Sequence, residues 1–142
     1  MTLKLEKYNE ARKCYDKVVS LQDGSKAFHH QGRCLESLEK FKKAIKYFDR
    51  AISEDPNDGD SYHRKGSCLK NLKDYSEAIA CFDKAISLKS NLQKTYYLKA
   101  NCLKELRQYE EALLYYEKAE NPWFEDLIEK FRQSKENLAS EA

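Results

Sequence analysis

Apolar positions along the chain form short helical stripes that return every 34 residues. Phe28, Gly32, Leu35 and Leu38 are separated by four, three and three residues, the spacing of one face of an α-helix. Phe41, Ala44, Ile45, Phe48, Ala51 and Ile52 trace a second stripe at three- and four-residue steps. Only the dipeptide Glu39-Lys40 separates the two stripes, with Lys73-Asp74 and Arg107-Gln108 at the same place further on. So short a connection makes the two helices antiparallel neighbours. Pro56 has no amide proton and drives Asp55 out of the helical region, so the second helix must stop there.

The register holds through eight columns. Phe28, Tyr62 and Tyr96 align, then Gly32, Gly66 and Ala100, then Leu35, Leu69 and Leu103, and Leu38, Leu72 and Leu106. The second half of each unit matches Phe41, Tyr75 and Tyr109, then Ala44, Ala78 and Ala112, then Phe48, Phe82 and Tyr116, then Ala51, Ala85 and Ala119. The pattern predicts an all-α stack of helix pairs, with small residues where helices approach closely.

A 34-residue helix–turn–helix unit with aromatic, Gly/Ala, aromatic, Ala, aromatic and Ala columns resembles the tetratricopeptide repeat. On that resemblance the chain divides into an N-terminal half-repeat over 1–24, repeats over 25–58, 59–92 and 93–121, and a capping helix with its tail over 122–142. The resemblance implies a right-handed α-solenoid whose first helices line a concave groove that takes a segment of another protein.

The half-repeat echoes a second helix through Tyr8, Ala11, Tyr15 and Val18. Three arrangements account for it: a piece of a longer array, a cap, or a face that packs on another chain. At the other end Asn121 and Pro122 suit the start of a helix. Trp123, Phe124, Leu127, Ile128 and Phe131 then give that helix one apolar face, for packing on the last repeat or for self-association.

Composition narrows the function. With four glycines and two prolines in 142 residues, a turn-rich β fold is excluded. A net charge of +2 gives no general case for nucleic acid or membrane as partner. Five cysteines, without a CxxC pair or a signal peptide, fit an intracellular, reducing compartment, cytoplasmic by expectation. Cys34, Cys68 and Cys102 recur in register beside the Gly/Ala and Leu columns, which makes them small buried hydrophobes rather than nucleophiles or zinc ligands. The chain carries no glycine-rich phosphate loop, HExxH pattern or EF-hand ligand set, so no enzyme, metal or cofactor is expected.

Charge off the apolar stripes points to the site. All three histidines, His29, His30 and His63, lie there on first helices. The eighteen off-stripe positions of the three first helices hold six Lys/Arg against three Asp/Glu. Lys26, His29, Arg33, His63, Arg64, Lys70, Lys94, Tyr97 and Asn101 are the expected peptide-binding residues, suited to hydrogen-bonding a backbone or a carboxylate. The expected ligand is an extended acidic or polar peptide. Some proteins of this family clamp a chaperone's C-terminal carboxylate with Lys, Asn, Asn, Lys and Arg/Lys. Those places here hold His29, Arg33, Arg64, Lys94 and Leu98, so only Lys94 matches and the chaperone clamp is not expected. RNA binding along the mildly basic groove, and a purely structural or self-assembling role in a larger array, are the alternatives.

Overall fold

The computed structural model describes residues 5–7, 9, 10, 13, 24–120 and 125–141, all but the short turns being helical. Among the described residues, seven helices of eight residues or more follow one another. They are α1 (Gly24–Ser37), α2 (Phe41–Glu54), α3 (Gly59–Asn71), α4 (Tyr75–Ser87), α5 (Leu92–Glu105), α6 (Tyr109–Glu120) and α7 (Glu125–Glu141). The half-repeat's Tyr8, Ala11, Tyr15 and Val18, with Cys14, lie outside the described residues. So do Asn121 to Phe124 and the side chains of Leu127, Ile128 and Phe131.

α1 packs on α2, α3 on α4 and α5 on α6, and each pair stacks on the next through α2–α3 and α4–α5. The first helices α1, α3 and α5 also meet in succession, making one continuous face of the stack. This is an α-solenoid.

Within each pair the turn closes in the same way. Leu35 O accepts from Lys40 N, Leu69 O from Asp74 N and Leu103 O from Gln108 N, each at 2.9 Å. Those bonds need a left-handed residue just before, and Glu39, Lys73 and Arg107 supply it with φ of 59°, 65° and 63°. None is glycine, so each turn holds about 1–2 kcal/mol of backbone strain against the hydrogen bonds it allows. Pro56 ends α2 as expected: Asp55 is extended, and its amide still reaches Ala51 O.

The core runs unbroken along the stack. Phe48 packs with Leu35, Ala44 and Cys68, Phe82 with Leu69, Ala78, Cys81 and Cys102, and Ile45 touches both groups. Phe48 and Phe82 are wholly buried. They fill the space that Gly32 and Gly66 leave: a Cβ on Gly32 would meet the Phe48 ring at 2.7 Å, and one on Gly66 the Phe82 ring at 2.6 Å. The third unit has Ala100 in the glycine column, and the matching ring, Tyr116, is only partly buried.

Candidate functional site

Two histidines tie successive units together. His29 Nδ1 lies 2.8 Å from Ser61 Oγ, and His63 Nδ1 lies 2.8 Å from Thr95 Oγ1. The second contact repeats the first one unit along, since 29 + 34 is 63 and 61 + 34 is 95. Ser61 and Thr95 are fully buried, and each hydroxyl also donates: Ser61 to Asp58 Oδ2 at 2.5 Å, Thr95 to Asn91 O at 2.8 Å. With its proton committed there, the hydroxyl accepts from the histidine. The buried Ser61 and Thr95 hydroxyls are thereby satisfied at both steps of the stack.

The two rings differ in their surroundings. His29 Nε2 also reaches Asp60 Oδ2 at 2.9 Å. That bond is the chief reason the Asp60 carboxyl lies well below its ordinary range, with Arg64 and Asn91 acting in the same direction against burial. His63 is 8% exposed, and burial pushes its ring below the usual histidine value, with Arg64 and Lys94 adding to the effect. Burial thus favours the neutral ring, against the opposing pull of Asp60.

Arg64 belongs to the stack as well. Its guanidinium reaches Glu36 at 3.3 Å and Asp60 at 3.5 Å. Burial raises the Glu36 carboxyl while Arg64 opposes the rise, so this cation holds a desolvated charge in place. His29, His63 and Arg64, all expected to meet a peptide, thus spend hydrogen bonds on the joints between α1, α3 and α5.

The remaining expected residues are differently placed. Lys26, Arg33, Lys94 and Tyr97 are exposed, with Tyr97 53% exposed, and Lys26, Arg33 and Lys94 have no ion pair among the described residues. Lys94 and Tyr97 line a cleft of about 440 Å³ together with His63, Gln93, Leu98, Ala119 and Glu120. The His63 edge, the Tyr97 ring and Leu98 make its walls mostly apolar, with Lys94 and Glu120 of opposite sign on them. Lys70 and Asn101 lie apart from it, in a smaller pocket with Tyr75, Lys104 and Glu105. The expected set therefore resolves into three groups: joints, exposed cations with the cleft, and the smaller pocket.

Residues 37–119 match the family model described as anaphase-promoting complex, cyclosome, subunit 3, and residues 3–59 match one described as tetratricopeptide repeat. The chain belongs to this family of tetratricopeptide-like repeats. Members of the family are interaction modules, and this array is one of them.

Solved structures agree on the fold. A MamA crystal structure superposes with a TM-score of 0.69 at 20% identity, covering 91% of this chain and 71% of that one. Another MamA structure gives 0.67 at 23%, covering 81% and 66%. The tetratricopeptide array thus spans about two thirds of the MamA chains it matches. The second tetratricopeptide domain of Spaghetti (RPAP3), solved with the HSP90 peptide SRMEEVD, gives 0.66 at 18%, covering 68% and 90%. No curated protein sequence matches the chain.

The four thiols among the described residues fill the core. Cys34, Cys68 and Cys102 are at most 1% exposed, and Cys81 is buried as well. Burial pushes the Cys102 thiol up to about 11 and raises Cys68 and Cys81 too, the reverse of what a nucleophile needs. Among the described residues no group of three His, Cys, Asp or Glu side chains is placed to hold a metal ion. Nor, among them, is any helix long and apolar enough to cross a membrane.

Sequence reasoning missed the joints. The signal was present as a 32-residue offset, His29 to Ser61 and His63 to Thr95, inside a 34-residue repeat. A further pair of joints was equally hidden: Lys65 holds Asp49 at 2.7 Å and Lys99 holds Asp83 at 2.5 Å, again one unit apart.

Proposed function

We propose that the array is a non-enzymatic scaffold that binds an extended, acidic peptide segment along the face formed by α1, α3 and α5. The observation that carries this reading is the contrast between cations. Arg64, Lys65 and Lys99 are each paired with a carboxylate inside the stack. Lys26, Arg33 and Lys94 stand on first helices, exposed and without an ion pair among the described residues. A negatively charged chain would supply what these three lack. The cleft beside Lys94 gives such a chain a place for one apolar side chain against Tyr97 and Leu98.

Tyr97 stands in the histidine column of the third unit, and its ring packs against Tyr116 at 5.7 Å between centroids. Its exposed edge adds a broad, partly apolar contact surface of the kind that anchors interfaces. Buried free thiols suit a reducing compartment for this work.

Selection from a random-peptide display library, with the whole chain as bait, tests the proposal. Enrichment of Asp and Glu is expected, and the selected peptides should lose binding to an Arg33→Glu, Lys94→Glu double variant of unchanged helicity. Arg64 is left in place because its loss would disturb the joints. Selection of basic or uncharged peptides, or equal binding to both proteins, would sink the reading. Tight retention of RNA with a steep salt slope would favour nucleic acid instead.

A further inference from the structure

The pocket that holds Lys70 and Asn101 has a chemistry of its own. Its volume is about 140 Å³, and Lys70, Tyr75, Asn101, Lys104 and Glu105 line it, where the ends of α3 and α5 meet the start of α4. At about 30 Å³ per water it has room for four or five waters, the size of one compact polar group. Lys70 and Lys104 occupy the same column, since 70 + 34 is 104. In the first unit that column holds Glu36, which is tied to Arg64 and Cys68.

The lining is rich in donors and short of acceptors. Neither Lys70 nor Lys104 has an ion pair among the described residues, although Lys65 and Lys99 nearby in the stack each hold an aspartate. The Tyr116 hydroxyl donates to Asn101 Oδ1, which leaves the Asn101 amide hydrogens as donors. Tyr75, whose side chain packs against the core, also lines the pocket. Glu105 is the single carboxylate, so two lysines less one glutamate give a formal charge of +1.

We propose that this pocket binds a compact anionic group, a carboxylate or a phosphoryl group carried by the partner on the first-helix face. The assignment rests on the interaction reading above and deepens it with a fixed anchor between the second and third units. None of its residues stands at the positions, His29, Arg33, Arg64, Lys94 and Leu98, to which the chaperone-carboxylate clamp maps. Lys70 and Lys104 supply charge from two units at once, so a bound anion also bridges the joint between them.

The test is a titration of the whole chain with sodium phosphate and, separately, sodium acetate, each against sodium chloride at equal ionic strength. The side-chain amide of Asn101 and the lysine ammonium signals are followed by ¹⁵N NMR. Saturating shifts are expected, with a dissociation constant of about 10 mM or tighter for at least one of the two anions. Lys104→Gln should weaken that binding about fivefold or more, and Glu105→Gln should tighten it. Saturation by acetate alone identifies a carboxylate ligand, and saturation by phosphate alone a phosphoryl group. Shifts that chloride reproduces, or that Lys104→Gln leaves unchanged, overturn the assignment.

Binding of the display-selected peptides is measured on the same samples. Peptides bound through Arg33 and Lys94, with no saturable anion, would leave the face reading standing and remove the pocket. A saturable anion without any selected peptide would do the reverse.

Discussion

His63 Nδ1 and Thr95 Oγ1, 2.8 Å apart across α3 and α5, form the buried bond that locks the second unit to the third. Thr95 has no exposed surface, and its own proton goes to Asn91 O, so the histidine must donate. Protonating the other ring nitrogen places a charge in a site where burial already disfavours it.

That charge makes stability depend on pH in a definite direction. The folded ring titrates below the unfolded value, so the unfolded chain binds more protons between the two. His63's contribution is complete above about pH 6.5 and declines as pH falls through that value, at no more than about 1.4 kcal/mol per unit. Urea unfolding of wild type and His63→Gln at pH 7 and pH 5 is the measurement. The wild type's margin over the variant should shrink at pH 5, and a margin independent of pH would count against a buried neutral ring.

Gly66→Ala should destabilise the array although alanine is the better helix former. The new Cβ would sit 2.6 Å from the Phe82 ring, which is enclosed on all sides. Overpacking of about 1–3 kcal/mol outweighs the helix-propensity gain of about 0.8–1.0 kcal/mol. Thermal melting should show the loss, and Phe82→Leu in the same chain should recover part of it by yielding the space.

Two arginines on first helices should behave oppositely. Arg64→Ala strands the half-buried Glu36 carboxylate and is expected to cost about 1–3 kcal/mol. Arg33→Ala removes an exposed cation and should stay within about 0.5 kcal/mol of wild type. Chemical denaturation of the two variants side by side reads the contrast. Equal losses would mean that the Arg64–Glu36 joint contributes nothing.

Cys34, Cys68, Cys81 and Cys102 should resist modification in the native protein. All four are buried, and their thiolate forms are disfavoured where a shift is resolved. Iodoacetamide labelling mapped by mass spectrometry is expected to leave them untouched at neutral pH and to label them after unfolding. Rapid native labelling at Cys68 would contradict a closed stack.

The exposed cations predict a salt response. Peptides selected on the first-helix face should bind more weakly as ionic strength rises from about 0.05 to 0.5 M, because exposed charges are screened over a shrinking Debye length. Fluorescence anisotropy with one labelled peptide is sufficient. Affinity unchanged across that range would assign the binding to the apolar cleft alone.

The sequence by itself determined the helix pairs. A 34-residue register with stripes at three- and four-residue steps admits one arrangement of neighbours, and Pro56 and the two-residue connections mark where helices end. It also determined that Cys34, Cys68 and Cys102 lie inside, since a small side chain in register beside Gly32, Gly66 and Ala100 has nowhere else to go. What it could not separate was one polar residue from another on the first helices. His29, His63 and Arg64 read like Arg33 and Lys94, because periodicity reports only which side of its own helix a residue occupies. Whether that side meets solvent or the next first helix depends on how closely one unit stacks on another. Phe48 and Phe82, seated against Gly32 and Gly66, hold the first two helix pairs together, and the stacking of α1, α3 and α5 then brings the histidines to Ser61 and Thr95. Tertiary packing turned His29, His63 and Arg64 into joints and left Lys26, Arg33, Lys94 and Tyr97 facing outward.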